Sequence, residues 1–172
     1  MVNKIRISLF IKPLLLLLAV AAGALVWYVY FNKTDKELVK EQLYQFRSDA
    51  SKYAGEGMAQ GVLKCKAMEK LFDKTCHVNI NVDMFAGSFS PEEIASKAMF
   101  CRNHCAVAVI DFNNIKTTID GDKAEAVLTA SLDGASKDGR RFNEYRELII
   151  SLKKLEGKWL IYKVDIHQIL EK

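Results

Sequence analysis

The sequence predicts an α+β domain carried behind one apolar helix. Three observations predict it. Residues 14–31 hold no charge. Between residues 35 and 105, apolar side chains recur every three or four positions, the helical period, with one alternating stretch among them. From residue 106 onward the pattern becomes alternation, broken by short turn signals, which reads as a mostly antiparallel sheet.

The apolar run comes first. Eighteen helical residues at a rise of ~1.5 Å span about 27 Å, close to the thickness of a bilayer's hydrocarbon core. Trp27, Tyr28 and Tyr30 cluster at its C-terminal end, where aromatic rings prefer the interface. Lys4, Arg6 and Lys12 precede the run, and no acid occurs before Asp35. The positive-inside rule then makes residues 1–12 a cytoplasmic basic head, 13–31 a transmembrane helix and 32–172 an exported domain. The expected location is the bacterial cytoplasmic membrane, single-pass, with the C-terminal domain in the periplasm. The small residues Ala22-Gly23-Ala24 also suit signal-peptide cleavage, against which Leu25 to Phe31 continue as an apolar run. Either reading exports the domain.

The net charge is +4, and three of the positive charges lie in the head. The remainder is close to neutral, with no basic block and no arginine–aromatic interleaving, which argues against nucleic acid as a partner. About 140 residues suit one domain.

Taken in order, the elements follow from local chemistry. Thr34 or Asp35 can cap a helix over 35–54, whose apolar stripe is Val39, Leu43, Phe46, Ala50 and Tyr53. Gly55 and Gly57 break it. A second helix, 57–73, carries Met58, Val62, Cys65, Met68 and Phe72, with Gly61 marking close packing. Residues 76–84 alternate as a half-buried strand. Residues 85–89 read as a loop. Ser90-Pro91-Glu92-Glu93 starts a third helix, 91–105, because serine caps, proline suits the first turn and acids favour the positive end of the helix dipole. Its stripe is Ile94, Ala98, Cys101 and Cys105.

Four long strands complete the chain: 106–120, 123–132, 140–155 and 158–169. Gly121-Asp122 and Glu156-Gly157 turn the chain, and residues 134–139 form a polar hairpin loop. In the last strand Leu160, Tyr162, Val164 and Ile166 alternate with Trp159, Ile161, Lys163, Asp165 and His167.

This order resembles the nuclear transport factor two-like superfamily, the cone-shaped cystatin-like fold that includes ketosteroid isomerase. Ser90-Pro91-Glu92-Glu93-Ile94 resembles the helix start after that fold's first strand. Gly157-Lys158-Trp159-Leu160-Ile161 resembles its turn into the last strand. The resemblance covers residues 35–170 and implies three helices packed on a curved sheet. It implies a pocket between sheet and helices that is catalytic, ligand-binding or simply filled. With the membrane helix, the arrangement is similar to bacterial envelope proteins, among them the scaffold subunit of type IV secretion systems. Dimerisation through the open sheet face is what the resemblance implies for partners.

Enzymes of that superfamily place acids, a tyrosine or a histidine in the cone, so the candidate pocket set is Asp111, Tyr145, Asp165 and His167. Asp165 and His167, at i,i+2, share a face, as a histidine and the acid that orients it would. A solvated face competes with this, because the other face of the strand is apolar. No cofactor is implied. The four cysteines, Cys65, Cys76, Cys101 and Cys105, are even in number in an exported domain, which favours cross-element disulfides. Buried thiols are the alternative. The spacing fits no zinc or haem motif, so no metal is expected. The function expected is a membrane-anchored extracytoplasmic binding or assembly module, more a non-enzyme than an enzyme. A small-ligand carrier or enzyme using the cone is the alternative.

Overall fold

The computed structural model describes residues 15, 17–23, 33–79 and 86–169, the side chains of 167–169 excepted. The chain divides into two compact units, 1–34 and 35–172. In the first, residues 17–23 are helical, and their side chains are exposed. No helix among the described residues is long and apolar enough to cross a membrane. The span expected over 13–31 lies mostly outside the described residues.

The second unit is the α+β domain. Its elements are α1 (Asp35–Ala50), α2 (Met58–Glu69), β1 (Phe72–Asn79), β2 (Gly87–Phe89), α3 (Pro91–His104), β3 (Cys105–Asp120), β4 (Lys123–Ser136), β5 (Arg141–Leu155) and β6 (Lys158–Ile169). Six strands form one curved sheet in the order β2-β1-β6-β5-β4-β3. Among the named strands only β1 and β6 pair in parallel, and every other pair is antiparallel.

One face of the sheet and the helices build the core. Val39 and Leu43 of α1 are fully buried. Phe46, one turn on, meets Phe72 edge-on at 5.5 Å and Phe112 at 6.0 Å between ring centroids. The sheet contributes Ala124, Ala126, Leu128, Ile150, Leu152, Trp159 and Ile161. The start of α3 is the predicted one: Ser90 and Glu93 close a reciprocal capping box and Pro91 opens the helix.

Four expectations need correction. Helix α2 ends at Glu69, and Phe72 belongs to β1, paired with Ile161. A spacing of four from Met68 satisfies both the helical period and strand alternation, so the stripe ran past the helix end. Residues 87–89 are a short strand, with Phe89 opposite Cys76, and three residues are too few to show alternation. Gly134 does not turn the chain; it lies within β4, opposite Ala108 and Phe142. A Cβ there would meet the Val107 carbonyl oxygen at 2.3 Å and the Phe142 ring at 2.7 Å, so glycine permits close approach rather than a bend.

The fourth correction concerns β6. Ile161 faces Leu152 and Lys163 faces Ser151, so two residues of β6 advance against one of β5. The extra residue, Tyr162, makes a β-bulge that switches which residues face inward. Trp159, Ile161 and Val164 are buried, instead of the even-numbered series the alternation predicts.

Candidate functional site

Cross-strand partners share a face of a sheet. Ala126, Ile150 and Val164 form one row on the core face. Asp111, Ser131 and Tyr145 form a row on the opposite, open face. Asp165 lies opposite Ile149, whose partner is Val127, and this row also belongs to the open face. Three of the four predicted pocket residues therefore share the face that the helices do not cover. The side chain of His167 lies outside the described residues.

They do not converge. Asp111 and Tyr145 are two strands apart, roughly 10 Å, and Asp165 lies four residues further along, about 13 Å. Asp111 is instead engaged by Arg47 of α1, whose Nη1 lies 2.7 Å from its Oδ1; both side chains are substantially exposed. Asp165 holds the Lys163 ammonium at 2.6 Å, and that hydrogen bond and charge raise the Lys163 pKa.

Between the sheet and the helices the described side chains form an apolar core. Leu43, Met68, Leu128, Ile150, Leu152 and Ile161 are essentially inaccessible. Among the described residues, no buried side-chain nitrogen or oxygen lacks a hydrogen-bond partner.

Sequence reasoning missed a polar cluster where α1 ends. Arg102 of α3 is 4% exposed. Its Nη1 donates to the carbonyls of Asp49, Ala50 and Ser51 at 3.0, 3.1 and 2.9 Å, satisfying groups that a helix C-terminus leaves orphaned. Its Nη2 pairs with Glu56 Oε1, and Lys64 holds Glu56 Oε2 at 2.8 Å. Lys52 donates to the Arg102 and Cys105 carbonyls at 2.8 and 2.7 Å, closing the end of α3. Burial pushes the Glu56 carboxyl up, but the Lys64 hydrogen bond and the charges of Arg102 and Lys64 outweigh it, leaving the pKa lowered. The signal was present: Ala95, Ala98 and Arg102 lie on one helical stripe, with Gly61 across from it. A cavity of about 290 Å³ borders this cluster, walled by Met58, Met99, Lys52 and Lys137. Every charge at the centre of the cluster is already partnered, which gives it a structural chemistry rather than a catalytic one.

The disulfide expectation is corrected. Cys65, Cys76, Cys101 and Cys105 are all free thiols. They fall in three separate surroundings, one of them shared by Cys101 and Cys105. Cys65 lies near Arg102 and Glu56, while Cys76 is fully buried on β1 near Asp73. Cys101 and Cys105 are a single turn apart at the end of α3, where an i,i+4 pair is poorly placed for a bridge. Burial, helped by Asp73, pushes the Cys76 thiol up to about 12. Burial and then Cys105 raise that of Cys101. Among the described residues, no group of three histidines, cysteines or acids could hold a metal ion.

No protein-family model matches the chain, and no curated protein matches it. Solved structures do. A protein assigned as an aromatic ring hydroxylase, from Novosphingobium aromaticivorans, superposes with a TM-score of 0.66 at 13% identity, over 80% of this chain and 90% of that one. A protein assigned as a scytalone dehydratase, from the same organism, gives 0.65 at 9%, over 79% and 85%. An uncharacterised protein with a cystatin-like fold from Caulobacter vibrioides gives 0.58 at 13%, over 79% and 89%. At these identities the likeness is one of fold, the nuclear transport factor two-like, cystatin-like cone.

Proposed function

We propose that the chain is a membrane-tethered binding or assembly module. Residues 13–31 hold it in the bacterial cytoplasmic membrane, and the cone-shaped domain lies on the extracytoplasmic side. The observation that carries the reading is the division of labour in the sheet. The core face is packed with leucine, isoleucine and phenylalanine, while the polar candidates Asp111, Tyr145 and Asp165 stand on the open face. A small-molecule enzyme needs its acids and bases gathered in a recess. Here the buried ionisable groups are consumed internally: Arg102 on helix carbonyls, Asp49 on Gln45 and Asp73 on Lys153.

The partner is a protein or a second copy of the chain. Val109, Val127, Ile149 and Tyr145 are half-buried on the open face among Thr129, Ser131 and Glu147. This mixture of apolar and polar groups is typical of protein–protein contacts that form and dissolve. The test is purification of the tagged full chain from detergent-solubilised membranes after mild cross-linking. A dimer or a partner should be recovered, and Val127→Asp/Ile149→Asp should lose it. Recovery of the parent only as a monomer, or only from the soluble fraction, would overturn the reading.

A further inference from the structure

The domain has two ends. The turns at 121–122 and 156–157 lie at one end of the long strands, and the turn at 137–140 lies at the other. The start of α1 belongs to the first end. Asp35 Oδ1 accepts from Lys154 Nζ at 2.7 Å and Trp159 Nε1 at 3.1 Å, and the Lys154 amide donates to the Asp122 carbonyl at 2.8 Å. Four chain steps separate Asp35 from Phe31, the last residue of the apolar run. At ~3.6 Å each, they reach about 14 Å at most. In a chain tethered through residues 13–31, that length limits how far Asp35 can lie from the headgroup layer.

The same end has the chemistry for that layer. Leu155, at the corner of the β5–β6 turn, is 48% exposed. Beside it a cleft of about 300 Å³ opens between α1 and β6, with Leu38, Trp159 and Leu160 as walls and Lys70 and Lys158 among its lining. Both lysines are exposed. Glu156 sits in the turn, and Glu41 of the cleft is already engaged. A lone exposed leucine is ordinary on any surface. Its coincidence with two lysines at the tethered end is what gives it meaning, because lysines near an anionic bilayer are attracted to it.

We propose that this end of the domain docks on an anionic phospholipid bilayer, with Leu155 entering the interface and Lys70 and Lys158 binding a headgroup phosphate. The inference rests on the proposed tether, and its test separates the two. The full chain is reconstituted into vesicles of phosphatidylglycerol and phosphatidylcholine with p-benzoylphenylalanine replacing Leu155 or, as the control at the opposite end, Asp138. Illumination should give a lipid adduct at 155 and little at 138. Lys70→Glu/Lys158→Glu, or vesicles of phosphatidylcholine alone, should reduce the adduct at least about tenfold, since each near-surface lysine contributes about 1 kcal/mol. Equal adducts at 155 and 138, in protein that resists alkaline carbonate, would overturn the docking and leave the tether standing. Extraction of the protein by carbonate would overturn both. An adduct indifferent to lysine and lipid charge would overturn the headgroup contact.

Discussion

Arg102 does at the scale of one residue what several separate caps would otherwise do. It donates to three carbonyls at the end of α1 and pairs with one buried carboxylate. Arg102→Ala leaves Glu56 buried with only Lys64, and loss of one member of a buried pair costs about 3–5 kcal/mol. Denaturant titration should show this as a lower midpoint, with Arg102→Lys in between because a lysine lacks the planar fork. Glu56 also sets a pH dependence. Its folded pKa is lowered from the usual 4.5. Its stabilisation is therefore fully present above that value and is lost as pH falls through the lower, folded one. As the pH falls through and below 4.5, the melting temperature of the parent should drop by more than that of Glu56→Gln, which starts lower but has no carboxylate to protonate. A similar drop in both would remove Glu56 as the cause. The thiols make a second residue-level prediction. Cys101, the one exposed thiol, should react first with a thiol reagent, slowly because its pKa is raised, and Cys65 and Cys76 only on unfolding. Prior reduction should change nothing, and a native-state reaction at Cys76 would contradict its burial. A cysteine count carries no coordinates: four cysteines in one sequence pointed to bridges, but Cys65 and Cys76 lie apart, and Cys101 and Cys105, though neighbours, are a turn apart in poor geometry for one.

At the scale of the element, spacing showed most of what periodicity can show. The capping box at Ser90, the stripe Val39–Leu43–Phe46 and the alternation over 124–132 all became structure. What failed were places where one residue changes the phase. Tyr162 is a bulge, and a bulge has no signature in a run that is hydrophobic on both faces, as Trp159 to Tyr162 is. Gly134 reads as a turn residue because turns are the commoner use of glycine, yet it serves contact across three strands. Gly134→Ala should destabilise by about 2–3 kcal/mol, since the obstacle is the Val107 carbonyl, which cannot rotate away as a side chain can. Gly61 gives the opposite sign. A Cβ there would lie 3.6 Å from Arg102 Nε, an ordinary contact. Gly61→Ala should therefore recover the helical cost of glycine, about 0.5–1 kcal/mol, measured as a raised denaturation midpoint. A loss of stability at Gly61→Ala would mean that the Arg102 cluster tolerates no displacement.

For the whole molecule, the fold class and the spread of Asp111, Tyr145 and Asp165 among the described residues have different origins. The class follows from element order, which the sequence displays directly. The distribution of Asp111, Tyr145 and Asp165 over the open face follows from register, which emerges only when β3, β4, β5 and β6 pair. Among the described residues the core runs from Val39 to Val164, with Leu38 packed against it. A chain beginning at Asn32 should consequently fold alone, with one cooperative transition and a melting temperature matching that of the full chain in detergent. Its cooperativity depends on Asp35, which holds α1 to β5 and β6 through Lys154 and Trp159. A shorter chain beginning at Lys36 loses both contacts and should unfold at lower temperature, with amide exchange accelerating first in the opening turn of α1. If the chain from Asn32 were unfolded, the domain would need its preceding segment, and the boundary between the two units would have to move upstream.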